Sequence, residues 1–206
     1  MGDFESTTKR ISDLFSDENK SLLKIFQSMT FLLKGTPYLL YGDELELKSR
    51  DKKLMRWDST ENCGFSSAAK KLNDNCENNV KLQRATGAGT TLTRIYKSMA
   101  NLRKEPSFQW GSIELSNKDE TEKGLISFMR KAQDFEGYII TANIGKETKN
   151  VDFKKFFDLK SQEKGKVAYF YSIENNNHEF QIHSEVMLDN ILLKPGDFLV
   201  VKFENN

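Results

Sequence analysis

The chain has 206 residues, a formal net charge of +1, 37% hydrophobic residues and 30% charged residues. This length allows a sizeable core and predicts two domains. The near-zero charge argues against nucleic acid as a partner, and no apolar run approaches the roughly 20 residues of a membrane-spanning helix.

Two segments carry apolar residues at helical spacing. The first begins near Ser16, with acidic residues in its first turn, and ends before Gly35. The second begins after Thr90 or Thr91 and ends at Glu105. Their apolar faces predict two helices that pack on a core. These faces comprise Leu22, Leu23, Ile25, Phe26, Met29, Leu32 and Leu33 in the first helix, and Leu92, Ile95, Tyr96, Met99 and Leu102 in the second.

Between these helices, Tyr38–Tyr41 is a short unbroken apolar run that Gly42 ends. Such a run is typical of a strand buried on both faces, as in a parallel sheet covered by helices. Asp43 and Glu44 follow it directly. In an α/β barrel, the carboxyl end of a strand carries the active-site loops.

A long polar segment, Lys48–Asn79, follows this strand. Its one apolar island surrounds Trp57, which we expect to anchor the loop, although the neighbouring Arg56 and Asp58 could bind a ligand. The chain's two cysteines fall in the same segment, and their number and spacing do not indicate a zinc site. Neither the composition nor any motif indicates a cofactor or a metal.

At Phe108 the apolar period changes from 3.6 to 2, and polar or glycine-rich turns follow at regular spacing. This pattern predicts an antiparallel β-sandwich of about 95 residues. His178 and His183 lie in or beside one strand, where we expect a surface or packing role. The predicted strands are Ser112–Leu115, Leu125–Arg130, Tyr138–Asn143, Val167–Ser172, Glu179–His183, Met187–Leu192 and Phe198–Phe203.

The order of elements predicts an α/β part followed by an all-β part. Residues 1–106 fit the last strands and helices of a TIM (β/α)8 barrel, and residues 107–206 fit the sandwich domain. Two barrel strands cannot close a barrel of eight, so we expect a carboxyl-terminal fragment. In that fragment, the apolar faces of Leu22–Leu33 and Tyr38–Tyr41 would be incompletely covered.

Four strings give the chain a resemblance to the α-amylase family. The string from Gly35 to Glu44 resembles the eighth barrel strand, where Gly-Thr-Pro, an apolar strand and Gly-(Glu/Asp)-Glu recur. Met55–Asp58 and Cys63–Ser66 look like the Met-Gln-Trp-Asp and Ala-Gly-Phe-Ser segments of the oligo-glucosidase branch. Ile95–Lys104 is similar to the last barrel helix of that branch.

The resemblance breaks at the strand-seven motif, which reads Gly-Asn-His-Asp in the enzymes. In the enzymes the histidine of this motif bonds the sugar hydroxyls, and the aspartate stabilises the charged transition state. Phe4 and Glu5 stand at these two positions, where Phe4 cannot hydrogen-bond a hydroxyl and Glu5 is one methylene longer than aspartate. A displacement of about 1 Å can cost roughly 100-fold in rate.

With this break, the sequence resembles the heavy chains of heteromeric amino-acid transporters, which are glucosidase-like and non-catalytic. The resemblance then implies a domain outside the cell, on the plasma membrane with type II topology. Its partner would be a transporter light chain whose trafficking and stability it supports. The membrane anchor would precede the barrel and be absent from this chain. The alternative is an α-glucosidase that hydrolyses small α-glucosides, with unusual subsite residues at Phe4 and Glu5. A third possibility is a degenerate family member whose ligand is unknown.

An extracellular location has two further consequences. Cys63 and Cys76 would form a disulfide across a loop of about 14 residues, or else remain as two free thiols. Asn19-Lys20-Ser21 is the chain's one Asn-X-Ser/Thr sequon, which predicts a glycan on Asn19.

Overall fold

The computed structural model describes residues 9–16, 19–49, 54–67, 76–85, 90–116, 124–159, 162–173 and 180–205. The chain divides into two compact units. The first unit is Met1–Lys24 with Tyr38–Lys97, and the second unit is Ile25–Pro37 with Ser98–Asn206. The sequence-based division at 106/107 concerns the barrel and the sandwich of a complete protein, and it stays a prediction.

Both predicted helices form. The described helices are α1 Lys20–Leu32, α2 Val80–Arg84, α3 Leu92–Leu102, α4 Pro106–Gln109 and α5 Phe153–Phe156, with short 3-10 helices at Ile11–Leu14, Asp43–Leu45 and Glu61–Gly64. α3 ends before the predicted Glu105 because Glu105 is the extended residue that precedes α4. Pro106 then opens α4 at the first helical position, where its missing N–H is not needed.

The second unit contains a six-stranded and a two-stranded sheet, and every pair in them is antiparallel. The strands are β1 Ser112–Leu115, β2 Leu125–Lys131, β3 Gly137–Asn143, β4 Lys149–Val151, β5 Lys164–Ser172, β6 Glu185–Met187, β7 Ile191–Leu193 and β8 Asp197–Phe203. The large sheet has the order β1-β2-β3-β8-β5-β6, and β4 pairs with β7 in the small sheet.

The structure corrects two predicted strands. Its described part of Glu179–His183 is not a strand, since His183 adopts φ +73° in a turn that leads into β6. Met187–Leu192 is not one strand either, because a turn at the buried Leu188 and at Asp189 separates β6 from β7. β4 had no counterpart among the predicted strands.

The second unit buries both faces of β3 and β8, the central strands of its large sheet. Residues from both sheets and from α5 share one hydrophobic core, including Met129, Ile139 and Val201 on the large sheet and Ile191 on β7. On the other face, α1 is joined to the sheet by the Ser28 and Tyr171 hydroxyls, which lie 3.1 Å apart. Successive residues of the central strands point to two covered faces, which is why β3 and β8 are buried along almost their whole length.

The first unit has a small core of Leu45, Leu47, Met55 and Val80. The predicted buried strand Tyr38–Tyr41 does not form there, and its residues are 42–88% exposed. A strand needs neighbours for its backbone hydrogen bonds, and the described strands all lie between Ser112 and Phe203. The exposure of this run confirms the predicted incomplete coverage of Tyr38–Tyr41. The same prediction for the Leu22–Leu33 face is wrong for most of its residues, because only Phe26 and Leu33 are largely exposed there.

Candidate functional site

The sequence-predicted site residues are not gathered in one place that can be described. Phe4, Glu5 and His178 lie outside the described residues. Asn19 is exposed immediately before α1, and its backbone N–H donates to the Ser16 carbonyl at 3.1 Å. His183 is exposed in its turn, which agrees with the surface role expected for it.

The best-defined polar site in the first unit is a buried ion pair between Arg10 and Asp43. Arg10 Nη1 lies 3.1 Å from Asp43 Oδ1, with the two side chains 10% and 7% exposed. The same Nη1 donates to the Tyr41 carbonyl at 2.7 Å, and the Leu40 N–H donates to Asp43 Oδ2 at 3.0 Å. Arg10 therefore ties the start of the described chain to the end of the predicted barrel strand.

A second carboxylate, Asp13, extends this connection and completes what we call the polar junction (Arg10, Asp13, Asp43 and Ser49). Asp13 Oδ2 accepts from the Arg10 N–H at 2.9 Å and from the Ser49 N–H at 3.1 Å, and it also accepts from the Ser49 hydroxyl. Burial raises the pKa of Asp13, but the hydrogen bonds from Ser49 and Arg10 outweigh it and hold that pKa below its usual value.

The geometry of the junction suits positioning better than catalysis. Both oxygens of Asp43 accept hydrogen bonds, one from Arg10 and one from the Leu40 N–H. The pKa of Tyr96 is raised, first by burial and then by the charges of Asp43 and Glu44. Its phenol is therefore neutral at physiological pH. Arg10 and Asp43 thus fix the backbone that carries Glu44.

Left-handed residues set the path of this segment on both sides. Gly42 has φ +86° and Glu46 has φ +57°, and they flank the short helix Asp43–Leu45. A Cβ at Gly42 would overlap the side chain of Leu47, so the turn requires glycine both for its φ and for its space. The sharp turn brings the Asp43 carboxylate back to the Leu40 N–H.

The cysteine-containing loop is the second unusual feature of the first unit. Cys63 and Cys76 form a disulfide with their Cα atoms 5.1 Å apart, so of the two alternatives the structure contains the bridge. Asn62, Cys63 and Gly64 adopt φ of +53°, +57° and +68° in succession. Left-handed residues other than glycine cost of order 1–3 kcal/mol and cluster at ligand-binding and switch regions.

Trp57 anchors this loop differently from the prediction. Its indole is 48% exposed, whereas its backbone N–H donates to the Cys63 carbonyl at 2.8 Å and its carbonyl accepts from the Lys81 N–H at 3.0 Å. The neighbouring Asp58 Oδ1 accepts from the Thr60 N–H and hydroxyl, and these bonds lower its pKa. Asp58 thus closes a local turn, and the backbone of Trp57 holds the loop.

Sequence reasoning missed Arg10 and Asp13. The signal that could have found them is their spacing, because a carboxylate three residues after a helix start can accept from the backbone N–H at that start. Among the described residues, no group of three or more histidine, cysteine or acidic side chains is placed to hold a metal ion. The helices in this part of the chain are all too short or too polar to cross a membrane.

Comparison with known proteins identifies the relationship. No family model matches the chain. It is 29% identical over 125 residues to Maltase A1 of Drosophila melanogaster, covering 58% of this chain and 21% of that protein. It is 34% identical over 113 residues to the salivary alpha-glucosidase of Aedes aegypti, covering 52% and 18% respectively. The chain therefore spans about a fifth of these two relatives.

Solved structures show the same relationship in the fold. Eubacterium rectale Amy13B matches with a TM-score of 0.65 and 16% identity, over 97% of this chain and 38% of that one. A family GH13_31 enzyme also gives a TM-score of 0.65 with 20% identity, over 95% and 39% of the two chains. The fold is thus consistent with part of an α-amylase fold, and the chain is related to the glucosidases of that family.

These findings correct the predicted function. The transporter heavy-chain assignment is wrong, because the relatives found are named as a maltase and an α-glucosidase and none is a transporter component. The heavy-chain prediction depended chiefly on Phe4 and Glu5, with weaker support from Asp43, and the similarity to two glucosidases outweighs these substitutions. The light-chain partner and the membrane anchor depended on the same assignment.

Proposed function

We propose that this chain is the carboxyl-terminal part of an α-glucosidase of the α-amylase family that hydrolyses small α-glucosides. The observation that carries the proposal is the similarity to two insect glucosidases over more than half of the chain. In this proposal the chain supplies the last strands and helices of a TIM barrel and a carboxyl-terminal antiparallel β-sandwich. The disulfide supports an oxidising compartment, and we propose an extracellular location.

The described residues would contribute positioning to the reaction. A retaining glycosidase needs two carboxyl groups about 5–5.5 Å apart that flank the scissile bond. Asp43 does not fit such a role, since both its oxygens accept hydrogen bonds within the polar junction. Arg10 and Asp43 instead hold the turn after Tyr41 in one conformation, as a substrate-facing barrel loop requires.

Phe4 and Glu5 take a different meaning in an active enzyme. Glu5 keeps the negative charge that the family's aspartate contributes, and an oxocarbenium-like transition state is stabilised by a carboxylate placed beside it. Phe4 would present an aromatic ring in place of the family's histidine and so narrow the range of accepted sugars. Glu5 is therefore the residue of this chain that we assign to transition-state stabilisation.

The test is an assay of the full-length protein on maltose, isomaltose and p-nitrophenyl α-glucoside. We expect hydrolysis, and we expect Glu5→Ala to lower kcat at least 100-fold, because removing one preorganised electrostatic group costs about 10²–10³ in kcat. Glu185→Ala is the matched control, because Glu185 is an exposed carboxylate whose pair with Lys164 at 3.2 Å lies far along the chain.

Two results would overturn the proposal. One is a folded full-length protein that hydrolyses none of the three substrates. The other is activity that Glu5→Ala and Glu185→Ala reduce equally, because that would remove Glu5 from the transition state and leave only a general effect on folding.

A further inference from the structure

The disulfide of the first unit lies inside an unfavourable backbone turn. This turn, which we call the cysteine turn (residues 58–65), contains the successive left-handed residues Asn62, Cys63 and Gly64, with φ of +53°, +57° and +68°. Two of the three carry a Cβ, which makes the left-handed conformation unfavourable for them. Because Cys63 is one half of the bridge to Cys76, the cross-link acts directly on this turn.

The hydrogen bonds of the cysteine turn converge on Cys63. Its carbonyl accepts from the Trp57 N–H at 2.8 Å and from the Asp58 N–H at 3.3 Å. Its own N–H donates to the Thr60 carbonyl at 2.9 Å, and its side chain is fully buried. A Cβ on Gly64 would lie 2.8 Å from a carboxylate oxygen of Asp58, so the turn is close-packed. A backbone rotation that takes Cys63 out of the left-handed region would therefore break these bonds together.

The chain on the other side of the bridge has anchors of its own. The Val80 N–H donates to the Arg56 carbonyl at 2.9 Å. The side chain of Asn79 caps α2, because it accepts from the Leu82 N–H at 3.0 Å. None of these bonds involves Cys63 or Cys76. Loss of the bridge would therefore release the cysteine turn and leave α2 in place.

Two effects of the same order oppose each other in the cysteine turn. Two residues with side chains are held in the left-handed region, which costs free energy. The disulfide stabilises the closed loop by restricting the unfolded chain. With the bridge formed, the turn is stable. With the bridge reduced, nothing covalent offsets the unfavourable backbone, so the turn relaxes.

We infer that the Cys63–Cys76 disulfide is an oxidation switch that makes the proposed enzyme active only after the bridge has formed. The inference rests on the proposed function. The cysteine turn follows the predicted last barrel strand, and in the proposed barrel a connection from a strand to the next helix lies at the end that carries the active site. The protein therefore stays inactive as a dithiol and gains activity in an oxidising compartment.

The switching step is a thiol–disulfide exchange. The two cysteine thiols give up two electrons and two protons to the disulfide of an oxidoreductase, which leaves as a dithiol, and one S–S bond forms as another breaks. A small dithiol such as dithiothreitol drives the reverse step. Reduction and reoxidation of the purified protein can therefore move it between the two states.

The test measures kcat of the full-length protein on p-nitrophenyl α-glucoside before reduction, after reduction by dithiothreitol and after reoxidation. We expect reduction to lower kcat about tenfold or more, because small displacements at an active site have effects of that size or larger, and reoxidation to restore it. Two double variants separate this bridge from any other disulfide of the full-length protein. Cys63→Ala with Cys76→Ala should have the low kcat of the reduced parent, and dithiothreitol should not lower it further.

The matched variant is Cys63→Gly with Cys76→Ala. It also lacks the bridge, but glycine adopts a positive φ without the cost that alanine carries. We expect its kcat to be several-fold higher than that of the alanine pair. Equal kcat values of the two double variants, or a reduced parent with unchanged kcat, would overturn the inference.

Hydrogen–deuterium exchange provides a readout that does not depend on activity. In the reduced parent and in the alanine pair, the amides at positions 57, 58 and 63 should lose protection about tenfold or more, and the Val80 amide should keep it. An equal loss at Val80 would contradict a local switch and indicate a general loss of stability. A parent that hydrolyses no glucoside before reduction would refute the proposed function, and the exchange comparison would still decide whether the bridge controls the turn.

Discussion

Arg130 offers the sharpest test of how the second unit is held together. It is fully buried, and its guanidinium donates to four backbone carbonyls. Nε bonds the Ser112 carbonyl at 3.1 Å, Nη1 bonds Leu32 at 3.0 Å, and Nη2 bonds Phe108 at 2.9 Å and Gly111 at 3.2 Å. The planar fork of donors thereby joins β2 to the ends of α1 and α4 and to the start of β1.

The charge is compensated by carbonyl dipoles at helix ends. Leu32 is the last residue of α1, and Phe108 lies in the last turn of α4, where the helix dipole favours a cation. The Phe108 ring adds a cation–π contact, with its centroid 5.6 Å from Arg130 Cζ. Burial, and then the charge of Arg103, lower the pKa of Arg130, but a guanidinium still stays protonated.

The cost of Arg130→Met follows from the four backbone carbonyls that it would leave without a hydrogen-bond donor. Methionine replaces the apolar stem, so the change chiefly removes the four hydrogen bonds. At the lower limit of about 1 kcal/mol for each buried group left without a partner, the loss is about 4 kcal/mol. Arg130→Lys keeps the charge but not the planar fork, so we expect about half of that loss.

Hydrogen–deuterium exchange of the full-length protein, read on peptides from β2 and β3, measures this loss locally. A decrease of about 4 kcal/mol in the free energy of opening lowers protection about a thousandfold. Lys131→Met is the matched control, because Lys131 is adjacent and 40% exposed, and its pair with Glu114 is of the kind that contributes about 0–1 kcal/mol. A decrease in the free energy of opening of less than about 1 kcal/mol in Arg130→Met would refute the reasoning.

Four shorter predictions concern the first unit and Asn19. Cys63→Ala should destabilise the first unit by up to about 3 kcal/mol, because it removes a disulfide that closes a loop between residues 13 positions apart. An unchanged melting temperature would contradict this. Gly42→Ala should cost about 1–3 kcal/mol, because φ is +86° and the new methyl would meet Leu47; wild-type resistance to limited proteolysis would count against it. The lowered pKa of Asp13 in the folded state gives a stabilisation that is present above about pH 4 and is lost as the pH falls through that pKa. Asp13→Asn should remove this stabilisation. Identical melting curves of the variant and the parent from pH 3 to 7 would argue otherwise. Asn19→Gln should abolish a glycosidase-sensitive mass shift of the secreted protein, since the sequon asparagine is exposed; a parent protein without that shift would disprove the glycan.

The central strands of the large sheet could be predicted because burial on both faces gives apolar runs that end at polar or glycine-rich turns. β2, β3 and β8 each begin and end within one residue of the predicted strands. β4 was not predicted because Lys149–Val151 has only three residues, two of them polar. It forms a strand because it pairs with β7, some 40 residues later in the chain. A pairing between distant segments leaves no local period in so short a strand.

The first unit was harder to predict because its structure depends on partners that sequence spacing does not reveal. An apolar run such as Tyr38–Tyr41 becomes a strand only when neighbouring strands supply hydrogen bonds. Arg10 reaches Asp43 across 33 positions, and the disulfide and the left-handed residues at 62–64 constrain each other only once the loop is closed.

The polar junction shows why an acidic motif alone does not locate catalysis. Gly42-Asp43-Glu44 follows the run that was predicted to be a barrel strand, where the sequence alone suggests an active-site loop, yet the structure engages both oxygens of Asp43 with Arg10 and the Leu40 N–H. A buried ion pair adds little net stability, because desolvation offsets much of the attraction. What this pair does is select one backbone path between left-handed Gly42 and Glu46. In the proposed glucosidase, the two carboxyl groups that flank the scissile bond would therefore lie elsewhere in the full-length protein, and Asp43 would serve only to hold its own turn in place.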